Sequence, residues 1–294
     1  MLTGILWGMG KTCSENILSV KYHESRGNYR IIGITADIPY RSSVLDYPYI
    51  SVDDIDKKDI DFIVVLADGD TFAGIKRIAL EHGFEEYRIW SYRPFKQICF
   101  DADKYLAIRE LNPTIFSRNC WGGATYHTLG LEFTSPFINM FESDDDFVRF
   151  LKNPKHYIND TELSLREMKR EPVLGFDYPV VECGDILLHF NHSKSFDSAR
   201  NDWNRRKTRI NWDSLFVEMN TEKPDLADEF SHLPYDRKIC FVPFETDREG
   251  LCTVDFYDKV IGKEKYFSNI VVGMALGAYQ FYDVFELILN GRAV

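Results

Sequence analysis

The chain has 294 residues, with 46 acidic and 35 basic side chains and a formal net charge of -11 at pH 7. This length suits two domains, and the acidic balance argues against a general nucleic-acid binder, because phosphate backbones favour a basic surface. The six cysteines are scattered without a CxxC pair, so neither a zinc site nor a compact disulfide framework is indicated. No metal-ligand motif is evident.

The two ends of the sequence predict a cytoplasmic protein that does not span a membrane. Residues 4–8 resemble a first strand and lack the charged start of a signal peptide. The apolar segment 270–289 contains Asp283 and Glu286, which favour a buried or amphipathic helix over a membrane span. We therefore expect a reducing, intracellular environment.

Predicted strands and helices alternate over residues 4–98. Runs of apolar and β-branched residues indicate buried strands, and apolar residues at helical spacing indicate helices. The predicted strands are 5–7, 29–36, 61–67 and 85–90, and the predicted helices are 14–22 and 71–82. This order predicts a Rossmann-like domain over residues 1–100, built on an open and mainly parallel sheet.

A glycine turn lies between the first predicted strand and helix. Gly8 and Gly10 would let the backbone approach a pyrophosphate, whose charge the start of the helix would stabilise. Asp37 follows the second strand, where a carboxylate would bind a ribose. A third glycine is absent, and Cys13 occurs there instead. Two interpretations stay open: a nucleotide-binding turn, or a scaffold that needs glycine only to turn tightly.

The first module resembles the N-terminal domains found beside sugar-modifying enzymes, including sialic-acid-type O-acetyltransferases and related polysaccharide proteins. The resemblance covers about a third of the chain and is carried by residues 6–10, 31–37, 49–55 and 61–65. It implies that the glycine turn binds a nucleotide sugar.

Residues 101–294 predict a second α/β domain, joined to the first by a segment at 92–103. The segment is not rich in glycine or serine, so we expect the two modules to pack together. The predicted strands are 114–117, 185–190, 214–219 and 238–242, and the predicted helices are 124–129, 198–210 and 224–232. The fold class is therefore α/β, with two Rossmann-like modules, each a mainly parallel sheet flanked by helices.

Cys120 is the candidate nucleophile, because it lies at a strand-to-helix turn where a helix dipole would lower the pKa of its thiol. His189 or His192 would serve as the base, and Asp185, on the same side of a predicted strand as His189, would orient it. In the alternative, Cys120 only packs in the core. The neighbouring residues that would then cradle an anionic ligand are Asn119, Gly122 and Gly123.

A basic segment follows the predicted histidine loop. Arg205 and Arg209 are four residues apart on a predicted helix, and Arg206 lies between them. Guanidinium groups suit phosphate and carboxylate oxygens, so these arginines are candidate ligands for an anion. The alternative is a solvated charged face.

The second module resembles an uncharacterised bacterial family, a domain of unknown function often labelled as an exopolysaccharide-biosynthesis protein. The resemblance extends over residues 113–245 and is carried by residues 117–123, 131, 135–141, 178–180, 189–192 and 203–211. It implies a bacterial source and a surface-polysaccharide context, and it assigns no catalytic role to any residue.

Three functions follow from these observations. The first is a transferase acting on a nucleotide-activated sugar or glycan precursor, with the two modules facing each other across a cleft that contains the glycines and arginines. The second is a cysteine-dependent hydrolase or acyltransferase, and the third is a non-enzymatic regulator that binds a sugar nucleotide. The expected partner is an anionic small molecule such as a nucleotide sugar. The sequence requires no cofactor and is compatible with an oligomer.

Overall fold

Two parallel sheets organise the computed structural model, which describes residues 1–39, 41–55, 58–172, 175–257, 266–278 and 282–293. Each sheet belongs to one of two units. Unit 1 comprises Met1–Leu111 with Leu129–Leu131, and unit 2 comprises Asn112–Thr128 with Glu132–Val294. The predicted fold class, an α/β protein with two mainly parallel sheets flanked by helices, is confirmed.

Unit 1 is built on strands that are buried on both faces. Its parallel sheet has the order β2-β1-β5-β6, and β3 and β4 form a short antiparallel ribbon. The elements are β1 (Thr3–Trp7), α1 (Lys11–Ser25), β2 (Arg30–Thr35), β3 (Ser43–Val44), β4 (Tyr47–Pro48), β5 (Phe62–Val65), α2 (Gly69–Glu81), β6 (Ile89–Ser91) and α3 (Ala102–Leu111). The predicted domain boundary near residue 100 precedes α3, which belongs to unit 1.

The strand predicted at residues 85–90, β6, begins later than predicted. A helical turn occupies Glu86–Arg88, where the N–H of Arg88 donates to Glu85 O at 3.0 Å, and β6 starts only at Ile89. The first residues of the predicted strand are exposed, whereas Ile89–Ser91 is buried. Burial therefore marks the start of this strand better than its β-branched and aromatic content.

Unit 2 combines a parallel sheet of order β13-β12-β11-β7 with an antiparallel sheet of order β10-β9-β8. Its elements are β7 (Thr114–Ser117), α4 (Trp121–Leu129), α5 (Asp144–Lys152), β8 (Leu163–Arg170), β9 (Asp177–Cys183), β10 (Ile186–His189), α6 (Phe196–Lys207), β11 (Leu215–Asn220), α7 (Pro224–Ser231), β12 (Lys238–Val242), β13 (Leu251–Thr253), α8 (Phe267–Ala275) and α9 (Val284–Asn290). The last residue of α4 is assigned to unit 1.

The central strand β11 has two different faces. Val217 and Met219 belong to the main apolar cluster of unit 2. Side chains alternate along a strand, so Phe216, Glu218 and Asn220 lie on the opposite face. There the Phe216 ring stacks on Trp121 of α4, with ring centroids 5.8 Å apart.

The antiparallel sheet was predicted only in its last strand. Seven of the eight residues of β8 are exposed, and many are charged, so the segment lacks a buried-strand pattern. A bulge between Leu165 and Glu167 also interrupts the alternation. As a result Leu163, Leu165 and Met168 pair with Cys183, Val181 and Pro179, which share one face of β9.

The apolar segment 270–289 contains two helices, where the sequence predicted one. Helix α8 ends at Ala275, and Asp283 caps α9 by accepting hydrogen bonds from Phe285 N at 2.8 Å and Glu286 N at 3.1 Å. Residues 279–281, within this segment, lie outside the described residues.

Candidate active site

Unit 1 contains a pocket of about 650 Å³ where β1, β2 and β5 end. Three predicted ligand-binding residues, Gly8, Gly10 and Asp37, line it. Gly8 has a φ of +116°, which other residues rarely adopt, and its N–H donates to Thr35 O at 2.9 Å. A Cβ added at Gly10 would meet nothing within 4 Å. The turn therefore requires glycine at residue 8, whereas Gly10 leaves open space.

The pocket combines apolar walls with charged groups of both signs. Asp37 Oδ1 accepts a hydrogen bond from Trp7 Nε1 at 3.0 Å, which fixes the carboxylate beside the end of β2. Lys11 and Arg77 also line the pocket, and each pairs with an acidic residue of its own helix. Cys13, which occupies the position of the absent third glycine, is buried, and burial raises its pKa to about 11.

In unit 2, Cys120 lies in the turn between β7 and α4, at the carboxyl end of a strand. Asn119 holds this turn from one side. Its Oδ1 accepts from Trp121 N at 2.8 Å, and its Nδ2 donates to Asn220 Oδ1 at 2.8 Å and to Ser268 Oγ at 2.7 Å. The residue before Cys120 is thereby fixed to β11 and α8.

Ser117 holds the same turn from the other side. Its Oγ accepts from Gly122 N at 3.1 Å and lies 3.0 Å from Asn119 O and 2.6 Å from Glu218 Oε2. A Cβ at Gly122 would lie 2.9 Å from the Ser117 Cβ. At Gly123 the nearest atom to such a Cβ would be 3.6 Å away, which is ordinary contact. Gly122 is therefore explained by the close approach of α4 to β7.

A bridging segment, residues 141–142, connects this turn to β10. Glu142 N donates a hydrogen bond to Arg118 O at 3.0 Å. Phe141 and His189 exchange two backbone hydrogen bonds, each of 3.0 Å. His189 ends β10, and the turn that follows carries His192. The Nε2 of His192 lies 3.6 Å from the Sγ of Cys120. Residues 72 positions apart thus meet at the start of α4.

Cys120 is a neutral thiol at rest. Burial raises its pKa to about 11, and the carboxyl group of Glu142 acts in the same direction. The lowered pKa predicted from the helix dipole is wrong, because burial of the thiol raises its pKa. His192 is exposed and Cys120 is partly exposed, so the pair is accessible from solvent.

Two acids near this turn were missed by sequence reasoning. Glu142 is 1% exposed and Glu218 is 0% exposed. Burial raises the pKa of Glu142 well above its ordinary value, against the attraction of Arg118. Burial also raises the pKa of Glu218 to about 7, against Ser117 and Arg118. The available signal for Glu218 was an acidic residue between the apolar residues Val217 and Met219 of β11.

The predicted orienting residue, Asp185, contacts other partners. Its Oδ1 accepts from Tyr157 Oη at 2.8 Å, and its Oδ2 lies 3.6 Å from Arg149 Nε. The His189 ring stacks on Phe141 at 4.6 Å, and burial, followed by Lys169, lowers its pKa. Of the two candidate bases, His189 and His192, it is therefore His192 that contacts Cys120.

The three predicted anion-binding arginines form ion pairs within unit 2. Arg205 and Arg206 both bind Asp202, at 2.7 and 3.2 Å, and Arg209 binds Glu132 at 2.8 Å. The Arg206 side chain is buried and also donates to a backbone carbonyl at 3.1 Å. Two carboxylates thus offset most of the positive charge of these three guanidinium groups.

Residues 91–288 match the family described as "Domain of unknown function (DUF1919)". The chain belongs to this family. The DUF1919 segment contains the Cys120 turn and His192, and it excludes the glycine turn of unit 1. An "Uncharacterized protein" of Haemophilus influenzae (strain ATCC 51907 / DSM 11121 / KW20 / Rd) is similar to it. The two are 28% identical over 181 residues, which is 60% of this chain and 82% of that protein.

Two further properties of the described residues concern membranes and metal ions. None of their helices combines the length and the apolar character needed to cross a bilayer. Within the same residues, no three His, Cys, Asp or Glu side chains are grouped so that they could hold a metal ion.

Proposed function

We propose that unit 2 is a cysteine-dependent acyl-transfer enzyme, a hydrolase or acyltransferase, in which Cys120 is the nucleophile and His192 the general base. The observation that carries the proposal is the 3.6 Å between Cys120 Sγ and His192 Nε2 at a strand-to-helix turn. Ligands of parallel α/β sheets bind outside the carboxyl ends of the strands, and this pair lies at such an end.

The proposed reaction has two balanced halves. Cys120 Sγ attacks the carbonyl carbon of an ester, thioester or amide while the thiol proton passes to His192 Nε2. The leaving oxygen, sulfur or nitrogen takes this proton as its bond to carbon breaks, and Cys120 keeps the acyl group as a thioester. Water or an acceptor hydroxyl then gives a proton to His192 and attacks the thioester. The departing thiolate recovers that proton.

The high pKa of Cys120 determines the order of events in the first half-reaction. A thiol with a pKa of about 11 is neutral near pH 7, so proton transfer to His192 must accompany the attack. A carboxylate beside the sulfur would oppose this step. Burial raises the pKa of Glu142 well above its ordinary value, which disfavours its carboxylate form and so weakens that repulsion.

Two hydrogen-bond donors at the start of α4 serve the turn and not the reaction. Trp121 N donates to Asn119, and Gly122 N donates to Ser117. Negative charge that develops on the substrate would instead be stabilised by the dipole of α4, whose positive end adjoins Cys120.

Substitution of the two residues tests the proposal. With p-nitrophenyl esters and acyl-coenzyme A thioesters as probes, Cys120→Ala is expected to abolish turnover, and His192→Asn to slow it by about 10²–10⁴-fold. The matched controls are Cys252→Ala, another partly buried thiol of raised pKa, and His232→Asn, another exposed histidine. Mass spectrometry should find the acyl group on Cys120. Turnover that survives in Cys120→Ala, or an acyl group on another cysteine, contradicts the proposal.

We propose, as a second function, that unit 1 binds a nucleotide-activated sugar. The observation in its favour is that Gly8, Gly10 and Asp37 line one pocket of about 650 Å³. Binding of such a ligand would support a transferase role in surface-polysaccharide synthesis. Binding without any turnover by Cys120 would support a non-enzymatic regulator instead. Saturable binding of a uridine diphosphate sugar is the expected result in calorimetry. Failure of every nucleotide sugar to bind contradicts it.

A further inference from the structure

The hydroxyl of Ser117 has more partners than one hydrogen can serve. Gly122 N donates to its Oγ at 3.1 Å, which uses one of its lone pairs. The same Oγ lies 3.0 Å from Asn119 O and 2.6 Å from Glu218 Oε2, which are both acceptors when Glu218 is ionised. A serine hydroxyl carries a single hydrogen, so it can donate to only one of them.

A proton on Glu218 resolves this conflict. The carboxylic acid then donates to Ser117 Oγ, and the hydroxyl donates to Asn119 O. We infer that Glu218 is a neutral acid in the resting protein below neutral pH and acts as a positioning residue that holds the Cys120 turn through Ser117. Its other oxygen, Oε1, is buried and has no hydrogen-bond partner among the described residues, which suits a neutral group.

The surroundings of Glu218 agree with this assignment. Arg118, from the turn after β7, is the charged group that favours ionisation of Glu218. Cys240 of β12 is in register with Met219 and lies in the apolar cluster on the other face of the sheet. Asp144, at the start of α5, pairs with Arg118 at 2.7 Å and so offsets the attraction of that guanidinium. Helix α8 packs on β11 and contains no titratable side chain. Helix α4 carries His127, which is exposed, and Tyr126, which is buried and neutral because burial raises its pKa above the ordinary value. The pKa of Glu218, about 7, follows mainly from burial.

Ionisation of Glu218 would alter the turn that presents Cys120. Glu218 and Asn220, two residues apart on one face of β11, hold residues 117 and 119 respectively. When Glu218 loses its proton, Ser117 must donate to the carboxylate, and Asn119 O loses this hydrogen bond. Cys120 follows directly, so its reactivity should change as the pH passes 7. The consequence for catalysis rests on the proposed function, but the protonation of Glu218 does not.

Infrared difference spectroscopy tests the protonation directly. Glutamine at residue 218 can donate to Ser117 as the acid does but cannot ionise. The wild-type minus Glu218→Gln spectrum should show a carboxylic acid C=O band below pH 7 that disappears above it. If Glu218→Gln does not fold, the acid band is titrated in Glu142→Gln protein instead. Absence of an acid band from Glu218 below pH 7 overturns the inference, whatever Cys120 does.

The alkylation rate of Cys120 by iodoacetamide tests the positioning role without any substrate. Histidines titrate in the neutral range, so the measurement uses a His192→Asn background. The rate should show an inflection near pH 7 that Glu218→Gln removes, and Ser117→Ala should remove it too, because the transmitting hydroxyl is lost. An inflection that persists in both variants overturns the positioning role. If the acid band and the inflection are both found but the protein shows no acyl transfer, only the proposed function is contradicted.

Discussion

Glu218 and Glu142 place two carboxyl groups out of water in one small region of unit 2. A buried acid either loses its charge or requires a compensating partner. Here burial is the leading cause of the raised pKa of both groups, and Arg118 opposes it in each case. Such groups make the stability of the fold depend on pH, and the direction of that dependence follows from the direction of the shift.

The contribution of Glu218 to the free energy of unfolding should therefore decline as the pH rises from about 4.5 to about 7. For Glu218, a pKa raised from 4.5 to about 7 corresponds to about 3 kcal/mol. Because the folded-state pKa is the higher one, this stability is present in full below pH 4.5 and is lost as the pH approaches 7. In urea unfolding across this range, Glu218→Gln should lack this contribution, so its free energy of unfolding should fall less steeply with pH than that of wild type. Glu142 should keep its own part of the slope, because its pKa is also raised. Glu167→Gln, at an exposed position, is the control. The same slope in wild type and Glu218→Gln would contradict the prediction.

Cys120 and His192 could be singled out from the sequence because their signals are local. Cys120 lies between a strand and paired glycines, and His192 lies in the loop after a strand. Glu218 could not be assigned in this way, because its partner Ser117 is 101 residues away. Asp185 shows the converse, since its spacing from His189 fits a strand but Tyr157 and Arg149 bind it.

The two adjacent glycines of helix α4 have different surroundings. Gly122 faces β7, where an added Cβ would lie 2.9 Å from the Cβ of Ser117 and 3.2 Å from the Cγ2 of Ile115. Gly123 faces Ile138 at ordinary contact distance. Alanine is otherwise favoured over glycine in a helix. Glycine is therefore required at residue 122 for steric reasons, whereas at residue 123 the general helical preference for alanine should apply.

Gly122→Ala should lower the free energy of unfolding by about 1–3 kcal/mol, because the backbone or Ser117 must move. Gly123→Ala should change it little or raise it by up to about 1 kcal/mol. Urea unfolding of both variants measures the difference, and Gly123→Ala serves as the matched control. Equal effects of the two substitutions would show that α4 does not approach β7 as closely as the structure indicates.

Strand β12 and strand β8 show how far whole elements can be predicted. The bounds of β12 agree with the predicted 238–242, because consecutive apolar residues indicate a strand buried on both faces. Strand β8 pairs along one edge with β9 and is otherwise exposed, so its charged residues give no apolar pattern. The bulge between Leu165 and Glu167 also breaks the alternation of side chains between the two faces of the strand, which could otherwise have indicated it.

The DUF1919 match covers most of unit 2 but only the end of the first 111 residues, in unit 1. The DUF1919 match begins at residue 91, so the pocket of unit 1 lies outside it, whereas Cys120 and His192 lie inside. The two proposed functions are therefore separable in principle. A nucleotide sugar would bind to residues of unit 1 alone, and acyl transfer would use residues of unit 2 alone.

Gly10→Leu should separate the two functions. A Cβ at residue 10 meets nothing within 4 Å, so the larger side chain should extend into the pocket without disturbing the fold. We expect the affinity for a uridine diphosphate sugar to fall by at least about tenfold, or about 1.4 kcal/mol, in calorimetry. Cys120→Ala should bind the sugar as wild type does, and so should Leu18→Ala, an exposed α1 residue outside the pocket lining. Unchanged binding by Gly10→Leu, with an unchanged unfolding midpoint, would show that the ligand does not occupy this pocket. Loss of binding in Cys120→Ala would show instead that the two functions are not separate.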